Sequence, residues 1–251
     1  MRMPWQQIYP GYYERPPDVL ESLHFHAARV VSHLGKTQHT ISTSLQLSTA
    51  PPAEDVRRAW IALRVKHPQL GALTDEAGTK VTYIVPSGED LEEWLQESLT
   101  IYDTTDTRTA DDVDANIQEC RWLALYYFPS SRELLIRTPH WRADSIGLLL
   151  LQHDLLDILT HGPPSDTPVF DGSELARFPP TFTEGAGMPT EATPEMNKAV
   201  DESLAVMLVG SPPVTLREVR PGTVPETSQR AVTRFSQDLS RRSSRPPRPE
   251  G

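Results

Sequence analysis

The chain has a single cysteine, Cys120, which excludes an internal disulfide framework and a Cys-based zinc cluster. Lying just ahead of an apolar run that starts at Trp122, it reads as a buried, inert thiol. Basic residues are also short, 24 Lys and Arg against 34 Asp and Glu, for a formal net charge of −10. A general nucleic-acid binder needs a basic face to neutralise phosphates, so that class is excluded as a partner; a single cationic pocket for a small anion is not. No apolar run approaches the ~18 residues of a membrane span. The first residues, MRMPWQQIYPGYYERPP, contain no apolar h-region of a secretory signal. The expectation is a cytoplasmic protein with neither nucleic-acid nor membrane partners. Walker A, GxGxxG, GxSxG and HExxH patterns are absent as well, which removes the P-loop, dinucleotide-binding, hydrolase-elbow and zincin readings. His24, Phe25 and His26, with His33 on the same expected helix, resemble half of a metal site. No cysteine or third spaced ligand completes it, so no metal is expected and these histidines read as packed or solvated side chains.

Proline, by contrast, is abundant: 24 in 251 residues, roughly twice the usual ~5%. Ten lie in residues 1–161 and fourteen in 162–251, so the chain divides into two unlike parts. The length suits one large domain or two small ones, and a hydrophobic fraction of 37% supports a core. The first part reads as a packed α/β (α+β) unit, residues 1–165. A Pro-rich linker is expected over 166–192, a further partly structured piece over 193–236, and a disordered Arg/Pro tail over 237–251.

Within the first part, Thr40–Leu47 is rich in β-branched residues and predicts a strand. Val56, Ala59, Trp60 and Leu63 fall at helical spacing, and Pro68 disfavours helix at His67, ending that helix there. Lys80–Val85 alternates as a strand does, and Ser87 can cap the helix carrying Leu91, Trp94, Leu95 and Leu99. Residues 103–116 show no period and read as a loop. The β-rich runs Trp122–Phe128 and Leu134–Arg137, separated by PSSRE, predict a hairpin. Ile146–Leu159, apolar on most sides, predicts a buried helix stopped at Gly162-Pro163-Pro164. Further on, Thr193-Pro194 and Gly210 bracket a helix by the N-cap, Pro-at-N1, Gly-at-C′ pattern. Arg230–Phe235 reads as a strand, and Ser236 could cap a helix beginning at Gln237.

The chemistry-bearing cluster lies between the second hairpin strand and the buried helix: His140, Trp141, Arg142, Ala143, Asp144. An HxxxD pair alone means little. With eight His and sixteen Asp in the chain, chance supplies about 0.5 such pairs, and a second, His153–Asp157, sits within the expected helix as an i,i+4 contact. His140 differs by its context at a strand end. A neutral imidazole there can take a proton from a hydroxyl or amine, and a carboxylate four residues on can brace the loop, with Arg142 the nearest candidate partner. The alternative reading is a strand-end histidine bonded to backbone.

The order of features resembles one family. Trp5, Tyr13, Arg15 and Glu21 come first, then Ala59-Trp60-Ile61-Ala62-Leu63-Arg64 with His67-Pro68, then Tyr83-Ile84-Val85-Pro86 and Trp94, then His140-Trp141-Arg142-Ala143-Asp144. Together they resemble the fungal branch of the CoA-dependent acyltransferase superfamily, which includes the trichothecene O-acetyltransferases, with condensation domains as more distant relatives. The resemblance covers residues 1–165 and reaches weakly to 236. It implies a chloramphenicol-acetyltransferase-like lobe with a mixed sheet and flanking helices, followed by an incomplete second lobe. It implies an acyl, most simply acetyl, group passing from CoA to a hydroxyl of a small secondary metabolite, a mycotoxin among the known cases. By the resemblance, His140 is the general base and Asp144 holds the loop, with Trp141 and Arg142 beside them; acyl-CoA is co-substrate and no further cofactor is needed. The CoA-binding residues are not identified. The family's usual glycine after the aspartate is Ser145 here, with Gly147 two positions on. The DFGWG-type segment of a second lobe is missing, so a non-catalytic remnant or interaction module that associates through the exposed lobe face is the alternative. A condensation-like enzyme using carrier-protein thioesters is the other.

Overall fold

The computed structural model describes residues 5–30, 40–115, 121–162, 170–189 and 191–209. The chain divides into two compact units, residues 1–192 and 193–251. Cys120, the expected strand Arg230–Phe235 with Ser236, and the tail 237–251 lie outside the described residues.

Two four-stranded sheets organise the first unit. One is antiparallel, in the order β1 (Gln6–Tyr9), β2 (Tyr12–Arg15), β5 (Val81–Ile84), β4 (Ala72–Thr74). The β1–β2 hairpin turns at Gly11, whose φ of +79° is open to glycine at no steric cost. The other sheet runs β3 (Thr40–Gln46), β8 (Glu133–Pro139), β7 (Ala124–Phe128), β6 (Leu99–Ile101). It is mixed, because β6 pairs with β7 in parallel while β7–β8 and β3–β8 are antiparallel. The mixed sheet that the resemblance implies is present, and among the described residues an antiparallel sheet accompanies it.

The predicted hairpin is present, with Ala124 opposite Arg137 and Phe128 opposite Glu133. Its strands read as continuous apolar runs because both sheet faces are covered. Leu134 and Ile136 face the main core with α2 (Ala53–Lys66) and α5 (Ser145–His161), whereas Leu135 and Phe128 pack with α4 (Ala110–Asp114). That short helix occupies the segment expected as loop. Thr109 caps it in a reciprocal box with Asp112, a signature masked by the run of acidic residues. Ser87 does cap α3 (Gly88–Ser98), again as a box, with Asp90. At the centre of the main core, Trp60 is fully buried, stacks on Trp94 with centroids 5.7 Å apart, and donates its indole N–H to Ser98 Oγ at 3.0 Å. Trp122 is only half-buried at the rim.

Two expectations change. Helix α5 is not buried all round: Leu148, Leu151, Gln152, Leu155 and Ile158 face the core, while Ile146, Leu149 and Leu150 are 64%, 53% and 62% exposed. A composition this apolar hides which side is covered. Residues 170–189, read as part of a linker, are packed into the first unit. Glu174 is fully buried, accepting the Tyr83 hydroxyl at 2.8 Å and the backbone N–H groups of Gly172 at 2.7 Å and Asp171 at 3.2 Å. Phe178 packs edge-on against Trp5 and Tyr83, and Arg177 donates to the carbonyl of Val65. A single helical turn, α6 (Phe182–Gly185), comes next, capped by Thr181. Proline content signals irregular backbone, and irregular backbone can still be held by tertiary partners.

In the second unit, α7 (Pro194–Val209) begins as expected, with the Thr193 hydroxyl accepting the Met196 N–H at 3.2 Å.

Candidate active-site cleft

Strand β8 is hydrogen-bonded on both sides, to β3 and β7, and delivers His140 directly after its last residue, Pro139. The chain turns there, closed by the Arg142 N–H to the Pro139 carbonyl at 3.1 Å, and enters α5. Asp144 is the N-cap of that helix, its Oδ1 accepting the Gly147 N–H at 2.6 Å. So Asp144 braces the loop through the helix start rather than through an arginine. The Arg142 guanidinium runs instead to the Arg121 carbonyl at 3.0 Å and lies over the Trp141 ring at 4.5 Å. Ser145 sits in the first helical turn, and the only non-glycine positive φ among the described residues is at Arg132, so serine is unstrained there. Gly147 is the position where space is tight: a Cβ would come within 3.2 Å of Asp144 Oδ1.

His140 opens onto a cleft of about 250 Å³. One wall is the turn 140–144, a second is one face of α1 (Val19–Val30) bearing Leu20, Glu21 and His24, and a third is the segment from Phe178 to Phe182. Helix α1 is set by charge and capping together. Asp18 and Glu21 exchange backbone N–H bonds at 2.8 and 2.9 Å, and Arg15 grips both Glu21 oxygens at 2.7 and 2.6 Å. Asp18, 1% exposed, also accepts the Thr183 N–H, tying the third wall to the second.

One turn beyond, the His24 ring stacks on His140, centroids 4.3 Å apart and planes inclined by 22°. Phe25 packs on Trp141 at 5.4 Å. The Nδ1 of His140 is buried and makes no hydrogen bond among the described residues. His24, read from sequence as an ordinary packed or solvated side chain, therefore belongs to the site. The second HxxxD pair does not form a contact of that kind. His161 pairs with Asp157 at 3.0 Å, and the neighbouring Asp154 bonds His67 at 2.6 Å and Lys66 at 2.9 Å. Among the described residues no cluster of three or more His, Cys, Asp or Glu is arranged to hold a metal ion, and no helix is long and apolar enough to cross a membrane.

The acetyltransferase pigO of Monascus ruber is 26% identical over 215 residues, covering 82% of this chain and 46% of that protein. The O-acetyltransferase pigM of the same fungus is 26% identical over 211 residues, covering 81% and 40%. Among solved structures, the TRI3 trichothecene 15-O-acetyltransferase of Fusarium sporotrichioides superposes with a TM-score of 0.58 at 17% identity, over 81% of this chain and 47% of that one. In sequence the chain is similar to these two fungal acetyltransferases. Another relative is lolU1 of Epichloe uncinata, named as a loline biosynthesis cluster 1 transcription factor, 26% identical over 256 residues, covering 93% of this chain and 51% of that protein. No family model matches the chain. The likeness to TRI3 establishes an acetyltransferase-like fold for the first unit, as the order of motifs led one to expect. The chain spans about half the length of these curated relatives.

Proposed function

We propose that this chain carries the histidine lobe of an acyltransferase of fungal secondary metabolism, transferring an acyl group, most simply acetyl, from CoA to a hydroxyl of a small molecule. The observation that supports it best is His140 itself, held at the end of a central strand, opening onto the cleft, in a chain whose relatives include two acetyltransferases. Because Nδ1 is the buried nitrogen, proton transfer falls to Nε2. His140 Nε2 takes the hydroxyl proton as the acceptor oxygen attacks the thioester carbonyl. The C–O bond forms, the C–S bond breaks, and the proton passes from the imidazolium to the departing thiolate, giving an ester and free CoA. General-base catalysis of this kind contributes about 10²–10⁴-fold, and only when acceptor and thioester are both held in reach. Asp144 acts through the loop, and no step calls for a metal or resident cofactor. The net charge of −10 disfavours a nucleic-acid-binding role for this chain.

A cleft walled by one lobe leaves the substrates on an open side. The 251-residue chain alone is therefore expected to release little CoA from acetyl-CoA with candidate alcohols. Mixed with the C-terminal half of a related acetyltransferase it is expected to release CoA, and to lose this on His140→Ala. Release indifferent to His140→Ala would remove the catalytic assignment. The second reading, a non-catalytic interaction module, draws on the exposed Ile146, Leu149 and Leu150; it predicts binding of that second half without turnover.

A further inference from the structure

A histidine base is normally oriented through its second ring nitrogen, by a hydrogen bond to a carboxylate or carbonyl. His140 is built otherwise. Its Nδ1 is buried without a hydrogen-bond partner among the described residues, and the carboxylate four positions on is engaged by the Gly147 N–H. What lies against the ring is a second imidazole, His24, with centroids 4.3 Å apart and planes 22° apart.

We infer that His24 is the positioning residue of this site, fixing the plane of the His140 imidazole by face-to-face stacking in place of a hydrogen bond. A stacked ring cannot turn about χ2 without driving its edge into its neighbour, so the contact selects one of the broad orientations that torsion otherwise allows. The in-plane lone pair on which a base depends stays uncovered, because stacking occupies only the face. The support beneath His24 is itself rigid. Arg15, Asp18 and Glu21 lock the start of α1 one turn earlier, and the next residue, Phe25, packs on Trp141. Two adjacent side chains of α1 thus hold two adjacent residues of the turn. Helix α1 and strand β8 are far apart in sequence, so the device assembles only when the lobe is folded.

The catalytic meaning of this inference rests on the acyl-transfer reading of His140; the ring placement rests on geometry alone, and the experiment separates the two. In the isotope-labelled 251-residue chain, cross-peaks between the ring protons of His24 and His140 are expected, with the His140 protons shifted upfield by the facing ring. Their absence in the unsubstituted chain overturns the inference without any variant. His24→Phe keeps a flat ring and is expected to retain the shift and a single set of His140 signals. His24→Leu is expected to lose the shift and split or broaden those signals, with backbone amides elsewhere unchanged. Unaltered His140 signals in His24→Leu overturn the inference. In the two-part acyl-transfer assay, His24→Leu is expected to lower kcat by about tenfold with KM for acetyl-CoA nearly unchanged, and His24→Phe to restore it to within about threefold. Equal losses in the two variants overturn it. If His140→Ala leaves CoA release intact while the ring signals respond as described, the positioning role stands and only the acyl-transfer reading falls.

Discussion

Asp144 shows how one side chain serves fold and site together. Its Oδ1 satisfies an N–H at the start of α5, one of the donors a helix leaves without intrahelical partners, and the same bond fixes the turn that presents His140. Asp144→Ala is expected to lower stability by about 1 kcal/mol, read by chemical denaturation, whereas Asp144→Asn, a competent cap, should recover most of it. A carboxylate acting directly on substrate would show the reverse, with activity lost in Asp144→Asn at full stability. Trp60 is the other residue on which much rests. Fully buried and stacked on Trp94, it should cost about 3–5 kcal/mol on replacement by alanine, from lost apolar burial plus the cavity left behind. A loss below about 1 kcal/mol would be incompatible with its position.

At the scale of elements, the joins are made by ionisable groups as much as by apolar packing. Glu174 anchors residues 170–178 to Tyr83, and burial together with that hydrogen bond pushes the Tyr83 hydroxyl well above its usual range, so it remains a donor at any ordinary pH. Glu174→Gln places an N–H₂ either against the tyrosine hydroxyl or against the N–H groups of Asp171 and Gly172, and is expected to cost about 1–3 kcal/mol. Helices α2 and α5 are joined by Asp154 with Lys66 and His67. Burial alone would raise the Asp154 carboxyl, but the bonds from Lys66 and His67 outweigh it and hold the group below its ordinary value. A carboxyl depressed in the folded state adds stability above its unfolded pKa of ~3.9 and loses it as pH falls through the lower folded value. Acid unfolding below about pH 4 should therefore be shallower in Asp154→Asn than in the unsubstituted chain, with the two chains compared by circular dichroism.

The same elements show what the sequence makes legible. Helix α2 and the β7–β8 hairpin are written in local pattern, apolar spacing in one and two β-rich runs in the other, and their ends fall within a residue or two of expectation. Strands β4 and β6 have three residues each, too few for alternation to register. Strand β1 is exposed along its length, so no apolar face announces it. For the candidate site, the proximity of His140 and Asp144 is legible because they share one turn. His24 was not, since its partner lies on another element and nothing local distinguishes it from any histidine on a helix. Buried Glu174 was hidden for the same reason, its three donors coming from Tyr83 and from a glycine-bearing turn.

Across the whole molecule, the unequal covering of α5 carries the remaining consequence. Ile146, Leu149 and Leu150 form an i, i+3, i+4 stripe more than half exposed, on the helix that Asp144 caps at the mouth of the cleft. Contiguous exposed apolar surface on a folded lobe marks a contact surface, and each Å² removed from water is worth about 25 cal/mol. Under the acyl-transfer proposal, the occupant expected on this stripe is the second lobe supplied in the two-part assay. Without it, the stripe is expected to meet other copies of itself. The 251-residue chain should then sediment as a concentration-dependent mixture of monomer and larger species, more so at high salt, where the mutual repulsion of a net charge of −10 is screened. Leu149→Lys with Leu150→Lys should return it to monomer without loss of helix content, because neither side chain contributes to the core. The same double substitution should weaken capture of the second lobe, whereas His140→Ala should leave it unchanged. Association that persists in the lysine variant would place the contact elsewhere on the lobe.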